Sequence, residues 1–221
     1  MLRIISGKFK GRKLTKSNHL KSLRPTKDSA RENIFNILTS NKEILSTNFN
    51  LEGANILDVC CGTGSVAFEA ISRGADSATM IENNFDHIEL VKKNQEILDL
   101  QDFTKIINLN VKRLPKNNEF FDLVFIDPPY EDDYIEILRN LIENSWIQNG
   151  SIIAIEMSNI GRNLDIFENG LKDNNLIANS LNNEDFNKLN SSLEVEFSAT
   201  NHLELLEKRK YGSSMFYFFK F

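Results

Sequence analysis

Residues 56–64 read Ile56-Leu57-Asp58-Val59-Cys60-Cys61-Gly62-Thr63-Gly64, and this stretch decides the fold. It begins as an apolar run of strand length and ends in glycines, which let a backbone turn sharply and approach a ligand closely. An amphipathic segment from Val66 to Ser72 follows, and Arg73-Gly74 ends it. A strand, a glycine turn and a helix in this order begin a βαβ unit, so the stretch predicts an α/β fold.

Beyond this unit, short apolar strands alternate with amphipathic helices. The predicted strands are Ile56–Cys60, Ala78–Ile81, Ile106–Leu109, Leu123–Ile126 and Ser151–Glu156. Further helices are predicted from Phe85 to Leu98 and from Tyr134 to Asn144. Near the end, Leu203–Leu206 and Met215–Phe221 predict a hairpin with a turn at 208–212. The alternation indicates a mostly parallel sheet with helices on both faces.

Length and composition favour one large α/β domain with a small addition. The 221 residues are 41% hydrophobic, which supplies a sizeable core, and no apolar run reaches membrane-spanning length. We predict a basic N-terminal arm over residues 1–23 and a main domain over 24–221. Ten asparagines among residues 159–190 predict an irregular insertion at about 159–200, with one short helix. Two adjacent cysteines and the absence of a signal-peptide pattern favour the cytoplasm.

Charge is distributed unevenly along the chain. Residues 1–31 hold ten basic side chains and one acidic side chain, so their net charge is +9. Because the whole chain has a net charge of −5, the other 190 residues carry −14. A local basic segment on an acidic body is suited to hold phosphates. Apolar residues and glycines interleave with these charges, which favours a short hairpin over a disordered tail. The predicted nucleic-acid-binding residues are Arg3, Lys8, Lys10, Arg12, Lys13, Arg24 and Thr26.

A second set of residues predicts a site for a cationic nucleotide cofactor. Glu82 ends the second strand, where a carboxylate can accept both hydroxyls of a ribose. Asp58 precedes the glycine turn, and its charge disfavours a pyrophosphate and favours a positively charged, amino-acid-bearing cofactor. S-adenosylmethionine has these features, so we predict it as the cofactor, with Asn110 beside its adenine. The predicted cofactor-binding residues are Asp58, Cys60, Gly62, Gly64, Glu82 and Asn110.

Asp127-Pro128-Pro129-Tyr130 follows the fourth strand and predicts the substrate end of the site. The two prolines fix φ and remove two backbone donors, so carbonyl oxygens remain free to accept. A carboxylate and a carbonyl can accept hydrogen bonds from the N–H groups of an exocyclic amine, and a tyrosine ring can stack on a flat base. We therefore predict Asp127, Pro128 and Tyr130 as the catalytic residues.

A series of short motifs runs along the chain in a specific order and spacing. The motifs are Arg3-Ile4-Ile5-Ser6-Gly7-Lys8-Phe9-Lys10-Gly11-Arg12-Lys13-Leu14, Arg24-Pro25-Thr26, Arg31-Glu32, Ile34-Phe35-Asn36, Gly62-Thr63-Gly64, Ser72-Arg73-Gly74-Ala75 and Asp127-Pro128-Pro129-Tyr130. Together they resemble the RsmD family of methyltransferases. The resemblance covers residues 1–157 and resumes at about 203–219.

This resemblance implies a class I S-adenosylmethionine-dependent methyltransferase with a Rossmann-like fold. Its sheet would have seven strands and be mostly parallel, with an antiparallel last strand supplied by the closing hairpin. The implied reaction transfers a methyl group to the N2 amine of a guanine in 16S ribosomal RNA, with the small ribosomal subunit as partner. We expect a monomer that needs neither a membrane nor a metal ion.

Two other functions stay open from the residues alone. The tetrapeptide at 127–130 suits any exocyclic amine, so an N6-adenine DNA methyltransferase is one alternative. The absence of an obvious target-recognition domain disfavours it. A non-catalytic RNA-binding assembly factor is the other alternative, and the intact Asp127 and glycine turn disfavour that function.

The remaining polar and aromatic residues are predicted to have structural or surface roles. Arg31 is expected at the surface or on a phosphate, and Thr26 or Asp28 is expected to cap the first helix. Residues 41–53 are predicted as a largely polar connection. Core positions are predicted for Trp146 and the phenylalanines, and surface positions for His19, His87 and His202, which lack metal-ligand spacing.

Overall fold

The computed structural model describes residues 2–16, 27–129, 131–158, 163–173 and 203–221. The helices are α1 Asp28–Ser40, α2 Lys42–Ser46, α3 Ser65–Ser72, α4 Phe85–Leu98, α5 Tyr134–Glu143 and α6 Asn163–Asp173. The strands are β1 Asn55–Val59, β2 Ser77–Glu82, β3 Thr104–Asn108, β4 Leu123–Ile126, β5 Ile152–Ser158, β6 Glu204–Tyr211 and β7 Ser214–Lys220. Arg24, Thr26, Tyr130 and most of the predicted insertion lie outside the described residues.

All seven strands form one sheet, in the order β3-β2-β1-β4-β5-β7-β6. The first five strands are parallel, whereas β7 is antiparallel to both β5 and β6. The predicted seven-stranded, mostly parallel sheet with an antiparallel last strand is therefore confirmed. Because β7 reverses direction between its neighbours, β6 runs parallel to β1–β5 at the edge of the sheet.

The sheet separates two hydrophobic layers. One layer packs α1 and α3 against the sheet and includes Phe35, Phe68 and Phe216, together with Leu2, Ile4 and Leu14 of the arm. The other layer packs α5 and α6 against the opposite face. Burial on both faces explains why β4 is a continuous apolar run and why β1 is buried from Ile56 to Val59. No helix among the described residues is long and apolar enough to cross a membrane.

Several local predictions are corrected by the structure. Residues 41–53 contain the short helix α2, which Asn41 caps by accepting hydrogen bonds from the N–H groups of Glu43 and Ile44. The turn predicted at 208–212 is shorter, because β6 continues to Tyr211. Asp28 is the first residue of α1 and does not cap it; Lys27 occupies that position, without a side-chain cap.

The prediction that the aromatic residues lie in the core is confirmed for Trp146, which is buried and donates a hydrogen bond to the Pro115 carbonyl. For the phenylalanines it is only partly right. Phe85, Phe103 and Phe120 are exposed, Phe85 most of all at 66%.

Candidate active site

Three carboxylates lie at or just beyond the carboxyl ends of neighbouring strands. Asp58 is in β1, Glu82 is the last residue of β2, and Asp127 directly follows β4. β1 pairs in parallel with β2 on one side and with β4 on the other. The common direction brings the three carboxylates to one edge of the sheet, where open α/β sheets bind ligands.

Cys60 lies among these acidic side chains. Burial raises the pKa of its thiol above the ordinary range, and the charges of Glu82, Asp127, Asp132 and Asp58 raise it further. Cys60 directly follows β1, whose register with β2 and β4 puts it at the same edge of the sheet as Glu82 and Asp127, and the next residue donates its N–H to the Ile81 carbonyl of β2. The structure therefore brings together the predicted residues Asp58, Cys60, Glu82 and Asp127, and the thiol between them stays neutral.

The glycine turn after β1 is fixed by its own backbone. The Cys61 N–H donates to the Ile81 carbonyl of β2 at 3.1 Å, and the Gly64 N–H donates to the Cys61 carbonyl at 2.8 Å. Gly64 has a φ of 71°, and a Cβ there would lie 2.6 Å from the Phe68 ring. A side chain would meet both backbone strain and a clash, so only glycine lets α3 begin at the next residue.

Asp58 is a buried carboxylate with one backbone donor. Its Oδ2 accepts a hydrogen bond from the Ala67 N–H in the first turn of α3, at 3.2 Å. Burial raises the pKa of Asp58 to about 7, the Glu82 charge raises it too, and the Ala67 bond opposes both effects. Among the described residues, no lysine or arginine forms an ion pair with Asp58. A cationic ligand would therefore be stabilised beside it.

Glu82 is held in a different way. Its Oε1 accepts the N–H groups of Asn83 and Asn84 at 2.9 and 3.0 Å, and its Oε2 accepts the Gly62 N–H at 3.0 Å. Burial opposes ionisation, but the nearby His87 imidazole and the N–H bonds from Asn84 and Gly62 hold the pKa of Glu82 below its ordinary value. Glu82 thus stays charged and ties the glycine turn to the end of β2.

His87 supports Glu82 from the first turn of α4. Its Nδ1 lies 3.3 Å from Glu82 Oε2, and its side chain is 13% exposed. The predicted surface role of His87 is therefore wrong. The helix cap could have indicated the contact, because Asn84 caps α4 and thereby fixes which residues of the first turn face Glu82.

Asn110 lies in the exposed turn that follows β3. Its side-chain oxygen accepts the Lys112 N–H at 2.9 Å, while the Leu109 N–H donates to the Glu82 carbonyl at 3.2 Å. The turn therefore lies beside Glu82. Lys112 Nζ lies 2.6 Å from Asp132, so an ion pair joins this turn to the loop after Asp127. The sequence does not indicate this ion pair, because its two residues are 20 positions apart.

The loop after β4 presents Asp127 and the Pro128 carbonyl. Asp127 is half-buried, and its N–H lies 3.4 Å from the Val59 carbonyl of β1. Pro128 is buried, and its carbonyl accepts a long hydrogen bond of 3.4 Å from the Tyr134 hydroxyl. A carbonyl has two lone pairs, so this bond leaves room for a second donor. Tyr134, predicted only as a helix residue, thus contacts the predicted catalytic loop.

The basic arm folds as the short hairpin that its sequence predicts. The Ile4 N–H donates to the Arg12 carbonyl at 2.9 Å, and the Leu14 N–H donates to the Leu2 carbonyl at 3.0 Å. The arm docks on α3, where buried Glu69 accepts the N–H groups of Ile5 and Ser6 at 2.7 and 3.0 Å. The predicted nucleic-acid-binding residues of the arm are exposed, namely Arg3, Lys8, Lys10, Arg12 and Lys13.

Asn94 of α4 connects this arm to the glycine turn. Its Oδ1 accepts the Thr15 N–H at 2.6 Å, and its Nδ2 donates to the Thr15 and Thr63 carbonyls at 3.2 and 3.1 Å. Asn94 is completely buried. The sequence did not indicate this role, because Asn94 lies in a segment that is predicted only as an amphipathic helix.

Arg31 corrects another prediction. Its side chain is completely buried, so it is neither a surface residue nor a phosphate contact. It donates to the Arg3 carbonyl at 2.6 Å and pairs with Asp28 at 3.0 Å. Arg31 therefore holds the arm against α1.

The described residues contain no group of three or more His, Cys, Asp or Glu side chains placed to hold a metal ion.

Comparison with known proteins shows the family to which the chain is related. The sequence profile of the family described as conserved hypothetical protein 95 matches residues 2–175. A Rickettsia prowazekii protein named "Uncharacterized methylase RP545" is 33% identical, with 72% of this chain and 86% of that protein covered. The Haemophilus influenzae "Ribosomal RNA small subunit methyltransferase D" is 34% identical, with 70% of this chain and 78% of that protein covered.

Among solved structures, the Escherichia coli protein yhhF superposes with a TM-score of 0.68 at 24% identity. The match covers 99% of this chain and 97% of that chain. At this level of identity the likeness shows the fold alone.

Proposed function

The chain belongs to the family described as conserved hypothetical protein 95, and from that premise we propose that it is a ribosomal RNA methyltransferase specific for the N2 amine of guanine. The predicted RsmD membership is confirmed by relatives named ribosomal RNA small subunit methyltransferase D. The observation that carries the proposal is that parallel strands β1, β2 and β4 end at one edge of the sheet, with Asp58, Glu82 and Asp127 at their carboxyl ends and Pro128 directly after Asp127.

The residues at the carboxyl edge fit S-adenosylmethionine. The buried charge of Asp58 suits its cationic amino-acid end, and the ionised Glu82 suits its ribose hydroxyls. Gly62 and Gly64 form the turn beside Glu82, to which the Gly62 N–H is bonded, and Asn110 lies beside Glu82 for the adenine. When bound, the cofactor supplies a methyl group on a positively charged sulfur.

Asp127 and Pro128 would act on the amine. The lone pair of guanine N2 is delocalised into the ring, so the amine is a poor nucleophile. Hydrogen bonds from its two N–H groups to the Asp127 carboxylate and the Pro128 carbonyl would orient the amine and localise its lone pair on nitrogen as it attacks the methyl group. Holding two reactants in line supplies much of the rate enhancement, and the acidic product amine then releases its proton without a strong base. We propose that the Tyr130 ring stacks on the base. Stacking of a base on an aromatic ring contributes roughly 1–3 kcal/mol to the binding free energy.

Small ribosomal subunits lacking the modification are the proposed substrate. We further propose that the protein acts on them as a monomer in the cytoplasm. The exposed cations of the docked arm support an RNA substrate, because phosphate contacts dominate nucleic-acid affinity.

The deciding experiment is labelled methyl transfer from S-adenosylmethionine to such subunits, followed by mapping of the methylated nucleotide. We expect label on one guanine N2. Asp127→Asn should lower the rate of methyl transfer by at least about 100-fold, which is the usual loss when one group that stabilises a transition state is removed. Its affinity for S-adenosylmethionine should stay unchanged.

Asp102→Asn is the matched control, because Asp102 is exposed just before β3, at the amino ends of the strands. Absence of label on the subunits while duplex DNA offered in parallel is labelled on adenine, or full activity in Asp127→Asn, would overturn the proposal.

A further inference from the structure

The end of β6 brings basic side chains to the same edge of the sheet as the candidate active site. In the register, Glu156 of β5 pairs with Phe216 of β7, and Phe216 pairs with Arg209 of β6. Ile126 pairs with Ile155, so Asp127 lies level with Glu156. Arg209 is therefore level with Asp127, three strand spacings or about 14 Å away across the sheet.

An open groove of about 560 Å³ lies between this end of β6 and α1. Its lining is mostly polar, with the amides of Asn33, Asn36 and Asn41 on one side and Arg209, Lys210 and Tyr211 on the other. Amides and cations are the groups that hydrogen-bond base edges, sugar hydroxyls and phosphates. Even with the Glu207 carboxylate that pairs with Arg209, the two cations beside these amides leave a local positive balance, which favours an anionic ligand in a chain with a net charge of −5.

The walls of the groove are held in place by Glu207. Its Oε2 accepts the Asn41 amide at 2.7 Å and lies 3.1 Å from the Arg209 guanidinium. Asn41 also caps α2, so one side chain joins the helices to the edge strand. Tyr211 packs on Phe216 with ring centroids 5.9 Å apart. The groove is thus preorganised, which lowers the entropy cost of binding.

The groove and the arm contact different parts of one helix. Arg3 of the arm pairs with Asp28 at the start of α1, whereas Asn36 and Ile37 in the second half of α1 line the groove. Both cationic surfaces pack on the α1 layer of the sheet. Lys208, the residue before Arg209, belongs to the other face, since it pairs with Glu168 of α6 and lies over the Tyr217 ring.

We propose that this groove binds the RNA strand that flanks the target nucleotide. Arg209 and Lys210 contact backbone phosphates, and the α1 amides contact sugar hydroxyls or base edges. The groove thereby supplies a second RNA contact surface besides the arm. The inference rests on the proposed function, because it takes RNA as the substrate.

The test compares the double variant Arg209→Gln/Lys210→Gln with Lys208→Gln as a matched control. Binding to small subunits lacking the modification is measured at several salt concentrations, alongside S-adenosylmethionine binding. We expect the double variant to bind about tenfold more weakly, because charge-assisted hydrogen bonds to phosphates are lost. The slope of log affinity against log salt concentration should fall in magnitude by about 1 to 2. The loss should appear in KM for the subunit rather than in kcat, and Lys208→Gln should match the wild type.

Three outcomes separate the possibilities. Equal affinity of the double variant and the wild type would overturn the groove proposal while leaving the proposed function intact. Equal weakening by Lys208→Gln would also overturn it, because general charge would then explain the loss. A wild-type protein that binds no subunit would instead overturn the proposed function.

Discussion

At the scale of single residues, Asp58 and Glu82 show that burial alone does not set the charge of a carboxylate. Both are buried at the same edge, yet Glu82 is bonded by three backbone N–H groups and Asp58 by one. Bonds to the charged form lower a pKa, which keeps Glu82 ionised while the pKa of Asp58 rises to about 7. Residue type and spacing predicted both carboxylates, but this difference depends on His87 and on backbone donors that only the folded structure places beside Glu82.

This pKa predicts a pH dependence of cofactor affinity. Below pH 7 Asp58 takes up a proton and loses its attraction for a cation, so S-adenosylmethionine binding should weaken. The weakening should approach about tenfold per pH unit below the pKa, and affinity should level off above it. Calorimetric titration between about pH 5.5 and 8.5 measures this directly.

The control is Asp58→Asn, which should bind more weakly with little pH dependence over that range. Protonation of Asp58 has the opposite effect on the stability of the fold: it weakens cofactor binding but favours the folded state. Its folded pKa exceeds the ordinary 3.8, so its stabilising contribution is complete below that value and is lost as pH rises to about 7. An affinity in the wild type that stays flat through pH 7 would contradict this role of Asp58.

At the scale of elements, the sequence predicted most helices and strands because their apolar residues follow regular periods. The exceptions have physical causes. α2 reads as a polar connection, yet Ile44 is buried and Asn41 caps the helix. The basic end of β6 reads as a turn, but it is an edge strand, where charged side chains are tolerated and discourage pairing with other chains.

The docking of the arm depends on one glycine. A Cβ on Gly7 would lie 1.7 Å from the Ser72 carbonyl oxygen, which also accepts the Lys8 N–H at 2.7 Å. Gly7→Ala should therefore displace the arm and lower the free energy of unfolding by about 3 kcal/mol, within the range for strained backbone combined with lost buried contacts. Denaturant unfolding measures the change.

Gly11→Ala is the matched variant, because Gly11 also has a positive φ but nothing within 4 Å of its Cβ position. Gly11→Ala should lower the free energy of unfolding by only about 1 kcal/mol, because it introduces backbone strain without a clash. If the two variants were equally stable, the close approach of the arm to α3 would not contribute to stability.

At the scale of the whole molecule, charge is separated between a docked basic arm and an acidic body. This separation was predictable from composition, whereas the docking was not, since it depends on buried Glu69, Arg31 and Asn94 in distant helices. The α/β class was likewise predictable from the alternation of elements. The sheet order was not, because no periodicity indicates that β7 lies between β5 and β6.

Charge separation predicts salt-dependent binding of RNA. Replacing Lys8, Lys10, Arg12 and Lys13 with glutamine should weaken binding and flatten the dependence of affinity on salt, by about 0.7 per lost phosphate contact for single-stranded RNA. Filter binding at several salt concentrations measures both effects. Unchanged slope and affinity would mark the arm as a structural element without a role in binding.

The position of β7 has a consequence for how the protein is made. β5 leaves the ribosome well before β7, and β6 pairs only with β7 in this sheet. At about 5–20 residues per second, synthesis of the intervening segment takes roughly 3 to 12 s. Throughout that interval we expect β5 to expose an open edge, which is the usual starting point for aggregation. Production of this protein should therefore depend on translation speed and on chaperones, whatever the final stability of the sheet.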